Sequence, residues 1–234
     1  MQTLELGRSD GDGLNILCLG AHGDDIEIGC GGTLLKWLDQ FENVSCRWVV
    51  FSADSDRRPE CAAGADAFLR QARHKTVDIL TFRDGFMPFQ GTQIKEYFER
   101  LKAEFTPDVI FTHCLHDRHQ DHRLLCDLTW NTFRNHLILE YEIPKYDGDF
   151  GQPNVFVALD EAVCRRKLDA LQTCFVSQRS KRWFSQETFR AVLQLRAMEA
   201  GLAGGGAEAF YARKLLIGGP PPVGPVNNSP PPDR

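Results

Sequence analysis

Two short stretches about a hundred residues apart hold most of the groups in this chain that could do chemistry. One is Ala21-His22-Gly23-Asp24-Asp25; the other is His116-Asp117-Arg118-His119-Gln120-Asp121-His122. Four of the seven histidines fall within residues 113–122, and His22 heads the first stretch. Two histidines and one carboxylate bind a divalent ion and leave a coordination position for water, the pattern of catalytic zinc. His22, Asp25 and His122 supply that set. A bound ion of this kind brings a water pKa down to about 7 and polarises a carbonyl oxygen. Asp24 cannot ligate beside Asp25 without crowding, so its expected role is general base. A cap on the following helix is the plainer alternative for Asp24. Glu27 fits a first helical turn, where the dipole stabilises a carboxylate, and stays outside the catalytic set.

His119 lies three residues before His122, and at a helix start both face one side. One can ligate while the other acts as acid or steadies an oxyanion. Asp121 is expected either to bond His119 and raise its pKa or to orient a metal histidine. His113 and His116 are weaker candidates for contact with substrate or with a ligand, and His74 and His136 read as isolated surface residues on helices. Cys114, close to the second stretch, reads as a packing residue at the end of an apolar strand.

The elements around these stretches must bring them together. Residues 14–20 form an almost continuous apolar run, as in a strand buried on both faces. Residues 45–52, 77–82 and 109–112 read as further strands, with helices over 33–41, 60–74, 93–105 and 121–135. Ile94, Phe98 and Leu101 share one face of the third helix. Strand alternating with helix predicts an α/β chain with a Rossmann-like three-layer fold and a mainly parallel sheet. Ligands of such sheets bind beyond the strand carboxyl ends at the switch point. Both stretches follow strands, the first and the fourth, which are neighbours in the usual order. Gly29, Gly31 and Gly32 do not match a dinucleotide fingerprint, and close packing is the expected reason for them. Later residues read as strands over 137–143 and 154–159, helices over 160–175 and 186–200, and a final apolar stretch after the glycine cluster 201–206.

The chain has 234 residues, a hydrophobic fraction of 42%, a charged fraction of 25% and a net charge of -5. That suits one folded domain, expected over residues 1–217. Residues 218–234 hold seven of the twelve prolines and read as a disordered tail. The negative charge argues against a broad hold on nucleic acid. No apolar run approaches the roughly 20 residues of a membrane span, and no signal-peptide core opens the chain, so a cytoplasmic protein is expected. The eight cysteines include no C-x-x-C pair and read as buried thiols.

Residues 21–29 with Gly31-Gly32-Thr33-Leu34, and His119-Gln120-Asp121-His122, resemble the double signature of the PIG-L (LmbE-like) N-acetylglucosaminyl deacetylases. The likeness spans most of residues 14–217. It implies a Rossmann-like fold, removal of an N-acetyl group from an amino sugar or sugar conjugate, and usually Zn2+, with Fe2+ as the other candidate ion. By motif it implies His22, Asp25 and His122 as metal ligands, Asp24 as base, and His119 with Asp121 as acid and partner. It also implies sugar-hydroxyl contacts from Arg57 or Arg58 and from Asp84, a small-molecule substrate, and assembly into homo-oligomers. Two positions depart from the pattern: Gly23 and Gln120 replace prolines. Three other readings stand beside it. The same scaffold can serve a metal-dependent hydratase; His22, Asp24 and His122 also match an iron-oxygenase triad, which the strand–helix alternation opposes; and a nucleotide-binding domain without catalysis lacks the glycine spacing.

Overall fold

The computed structural model describes residues 13–216, together with Thr3. The proline-rich segment 218–234 and the domain boundary expected before it lie outside the described residues. Seven strands form one sheet in the order β3-β2-β1-β4-β5-β7-β6. β1 (Leu14–Gly20), β2 (Val44–Val50), β3 (His74–Ile79), β4 (Val109–His113) and β5 (Leu137–Tyr141) are parallel. β7 (Gly206–Tyr211) runs antiparallel to both β5 and β6 (Val155–Leu159).

β1 explains why its sequence is apolar throughout. Ile16 and Cys18 point into one core, Leu17 and Leu19 into the other. The first core lies beneath α1 (Asp25–Gln40), α2 (Arg58–Phe68), α5 (Glu161–Cys174) and α6 (Gln186–Glu199); the second lies beneath α3 (Gly91–Glu104) and α4 (Gln120–Thr132). Ile94, Phe98 and Leu101 are the buried stripe of α3, as its spacing predicts. All eight cysteines are free thiols, seven of them buried. Among the described residues no helix is long and apolar enough to cross a membrane.

Boundaries moved where packing overrode pattern. α1 begins at Asp25 rather than near residue 33, so the glycine cluster lies inside it. A Cβ on Gly29 would stand 2.2 Å from Cδ2 of Tyr141, and one on Gly32 would stand 2.5 Å from Cδ1 of Leu159. The helix therefore lies directly on β5 and β6, close packing that offsets the cost of about 1 kcal/mol for glycine in a helix. β3 starts at His74, which pairs with Ser45; α2 stops at Phe68, well short of residue 74. His74 thus opens a strand, and His136 sits in the turn after α4, neither on a helix.

α1 is anchored from the far end of the chain. Glu208 accepts the backbone amides of Gly32 at 2.7 Å and Thr33 at 2.6 Å. Lys167 donates to Glu208 at 2.5 Å and to the Ile28 carbonyl at 2.6 Å, and both side chains are buried. Glu27, in the first turn as expected, is fully buried, and neither of its oxygens has a hydrogen-bond partner. Burial pushes its carboxyl well above the ordinary 4.5.

Glu208→Ala leaves Lys167 buried without its counter-charge, and such a loss costs about 3–5 kcal/mol; urea unfolding at neutral pH should read a fall of that size. For Glu27 the folded pKa exceeds the unfolded one. Its contribution is therefore complete below about pH 4.5 and is lost as pH rises through the folded value. Glu27→Gln should accordingly stabilise the protein, by a margin that grows as pH rises from 5 to 8 in thermal unfolding.

Candidate active site

The crevice opens where β1 and β4 end side by side, paired from Ile16–Val109 to Cys18–Phe111. β1 delivers Ala21 to Asp25, and β4 delivers His113 and the second motif. The Ala21 amide lies 3.0 Å from Nε2 of His113, fastening one loop to the other. His22 Nδ1 is 3.2 Å from His122 Nε2 and 3.4 Å from Asp25 Oδ2. His122 Nε2 is 3.6 Å from the same Asp25 oxygen. These three side chains therefore converge on one small volume. Asp25 Oδ2 also accepts the His22 amide at 2.7 Å and lies 3.1 Å from His113 Nε2.

His122 is aimed by Asp117, whose Oδ2 accepts a hydrogen bond from Nδ1–H at 2.9 Å, leaving Nε2 as the lone-pair nitrogen. Sequence reasoning left Asp117 without a role. It also rated His113 low, although that residue is fully buried against Asp25. A carboxylate at the mouth of α4, five residues before His122, was the available signal for the first. A histidine at the buried end of β4 was the signal for the second. His116 is exposed. Cys114 is buried, its thiol pushed up to about 12 by burial, and it joins none of the His/Asp clusters found among the described residues.

Asp24 occupies the N-cap of α1, yet its side chain caps nothing. Oδ1 lies 3.3 Å from Arg57 Nη2, and Oδ2 is buried with no partner. Burial raises the Asp24 carboxyl above the ordinary range despite the neighbouring guanidinium. Asp25 behaves oppositely: burial would raise it, but His122, His113 and His22 hold it well below the usual carboxylate range. Burial, then the proximity of His113, depresses His122 to about 4, so its imidazole is neutral at pH 7.

His119 and Asp121 lie in the crevice, and of the two readings for Asp121 its carboxylate follows the one that faces another histidine, His22, rather than bonding the His119 ring. The Asp121 carboxylate accepts the amides of Gly85 at 2.7 Å and Met87 at 3.1 Å, and stands 3.4 Å from His22 Nε2. His119 instead caps α4, its Nδ1 accepting the Asp121 amide at 3.3 Å. Burial and then His22 lower its pKa, the reverse of the expected rise. With Nδ1 accepting, the proton of the neutral ring sits on Nε2. Asp84 reaches the site at 2.9 Å from His22 Nε2. Arg57 borders the site through Asp24, whereas Arg58 is exposed and donates to the Ile79 carbonyl at 2.7 Å, outside this cluster. Gly23, where a proline was the usual residue, sits against Cys61: a Cβ there would be 2.3 Å from Sγ.

The PIG-L family, described as GlcNAc-PI de-N-acetylase, matches residues 17–133. The uncharacterized deacetylase YaiS of Escherichia coli (strain K12) is 31% identical over 169 residues, covering 67% of this chain and 88% of YaiS. The conserved protein TT1542 from Thermus thermophilus superposes with a TM-score of 0.68 at 20% identity, over 87% of this chain and 96% of its own. The N,N'-diacetylchitobiose deacetylase from Pyrococcus horikoshii gives 0.64 at 20% identity, over 85% and 83%. Both solved structures share the three-layer fold with its mainly parallel sheet. The chain belongs to the PIG-L family of deacetylases.

Proposed function

We propose that this protein is a metal-dependent hydrolase that removes the N-acetyl group of an amino sugar or sugar conjugate and releases acetate. One observation carries the reading. His22 Nδ1, Asp25 Oδ2 and His122 Nε2 form a triangle with sides of 3.2, 3.4 and 3.6 Å. A tetrahedral ion with bonds near 2.0–2.1 Å requires ligand atoms about 3.3 Å apart. The donor set of two imidazoles and one carboxylate suits Zn2+, with Fe2+ the other ion it admits. Such an ion, when bound, polarises the amide carbonyl and lowers the pKa of water.

The chain's own residues complete the reaction. Asp24 offers the partnerless Oδ2 as base to a water that attacks the acetamide carbon. Its raised pKa suits it to hold that proton and return it to the nitrogen as the C–N bond breaks. Arg57 keeps the carboxylate in place at 3.3 Å. His119, with its proton on Nε2, steadies the developing oxyanion rather than acting as a charged acid. Asp121, anchored by Gly85 and Met87, orients His22 from the other ring nitrogen. Arg57 and Asp84 border the crevice and are assigned to sugar hydroxyls; Arg58, bound to Ile79, is not. The same reading assigns the protein to the cytoplasm, acting on a small molecule.

The test is release of acetate and free amine from a panel of N-acetyl sugars and their conjugates, with and without chelator. Asp24→Asn should keep its metal and lose about 10²–10⁴-fold in turnover. His22→Ala should lose the metal itself, read by elemental analysis. A wild-type rate in Asp24→Asn would show that the base is misassigned. If no panel member releases amine while metal is bound, weight moves to a hydratase acting on an unsaturated acid.

A further inference from the structure

The loop between β5 and β6 is tied to the second motif by one lysine. Lys145 Nζ lies 3.0 Å from Asp117 Oδ2 and 2.5 Å from Asp149 Oδ2, and is 3.4 Å from the Ile143 carbonyl. The lysine side chain is only 11% exposed and Asp117 is 1% exposed. Asp149 in turn accepts the Arg118 amide at 2.7 Å. The other end of this loop is held separately: Glu142 accepts the Gly151 amide and the Tyr211 hydroxyl, both at 2.7 Å, and pairs with Arg196 at 2.5 Å.

Asp117 Oδ2 is the same oxygen that holds His122 Nδ1 at 2.9 Å. Its partner Oδ1 accepts the His119 amide at 2.7 Å. A buried carboxylate of this kind needs a compensating charge. Among the described residues, Lys145 is the one lysine or arginine paired with the Asp117 carboxylate, Arg123 reaching only the Asp117 backbone carbonyl. The ammonium thus stands two hydrogen bonds from the ring whose other nitrogen faces Asp25, outside the metal ligand set and outside the crevice wall.

We propose that Lys145 is a positioning residue for the metal centre. Its ammonium compensates Asp117 and fixes that carboxylate on His122 Nδ1, so that Nε2 is presented as a ligand with the right tautomer and orientation. This rests on the reading of His122 as a ligand. Groups that orient metal histidines typically change affinity about 10–100-fold when lost, and Lys145, acting through Asp117, is assigned the lower end.

The experiment is Zn2+ affinity by chelator competition, together with the visible spectrum of the Co2+-loaded protein. It uses the full chain as wild type, Lys145→Met, Lys145→Gln, Lys145→Arg and Asp149→Asn. Thermal unfolding of each metal-free variant identifies those that fold. Lys145→Met and Lys145→Gln should bind Zn2+ about tenfold more weakly and alter the Co2+ bands, and Lys145→Arg should recover most of the affinity. Asp149→Asn removes the charge from the loop contact but leaves Lys145 on Asp117, and should stay within about threefold of wild type. Wild-type affinity in both neutral variants, or an equal loss in Asp149→Asn, overturns the assignment. Wild-type protein that takes up no stoichiometric ion overturns the metal reading and this inference together. Tight metal binding without amide hydrolysis sinks only the deacetylase reading, and the affinities still decide Lys145.

Discussion

One carboxylate oxygen, Oδ2 of Asp25, is the point on which the crevice closes. It takes the His22 amide from its own loop at 2.7 Å and faces His113 and His122 from the other at 3.1 and 3.6 Å. Such crowding of nitrogens around one buried anion requires that the two loops be adjacent, and adjacency follows from the pairing of β1 with β4. The central strands β1 and β4 are buried on both faces, which requires helices above and below them. The chemistry thus depends on topology rather than on either motif by itself.

A second constraint acts on α1, with Asp24 at its N-cap and Asp25 in its first turn. Its glycines let it lie against Tyr141 and Leu159, and Glu208 and Lys167 grip its middle. The later strands and helices look unrelated to the motifs in sequence, yet they hold the helix that carries Asp24 at its N-cap. A buried ion pair is weak evidence of added stability. Here its geometry argues for placement, since it bonds backbone groups at Ile28, Gly32 and Thr33, one to two turns beyond Asp25.

Much of this was readable from residue order. β1, β4 and the buried stripe of α3 were, because burial on two faces or on one leaves a plain period in the apolar residues. So was the nearness of the two motifs, from the usual strand order. The start of α1 was not: three glycines hide a helix whose glycines serve the neighbours' side chains rather than its own propensity. Asp117 had no role in the sequence because its contact arises only when the loop before α4 brings it against Nδ1 of His122. Which of the two readings of Asp121 holds was open for a similar reason. Capping by the His119 ring and the two loop amides on Asp121 arise only once Gly85 to Met87 reach the head of α4. Arg57 and Arg58 are adjacent and chemically alike, and only the turn into α2 separates the one beside Asp24 from the one facing solvent.

The contact between Gly23 and Cys61 makes two distant positions a single unit of variation. The bare Cα at 23 is what admits a sulfur atom beside the loop of His22 to Asp25, and a pyrrolidine ring there would collide with it. The stiffness a proline would bring to the loop is supplied here from outside, by a side chain of α2 filling the space. A relative that keeps the proline must have a smaller or displaced residue at the position of Cys61, so the two sites can change only together.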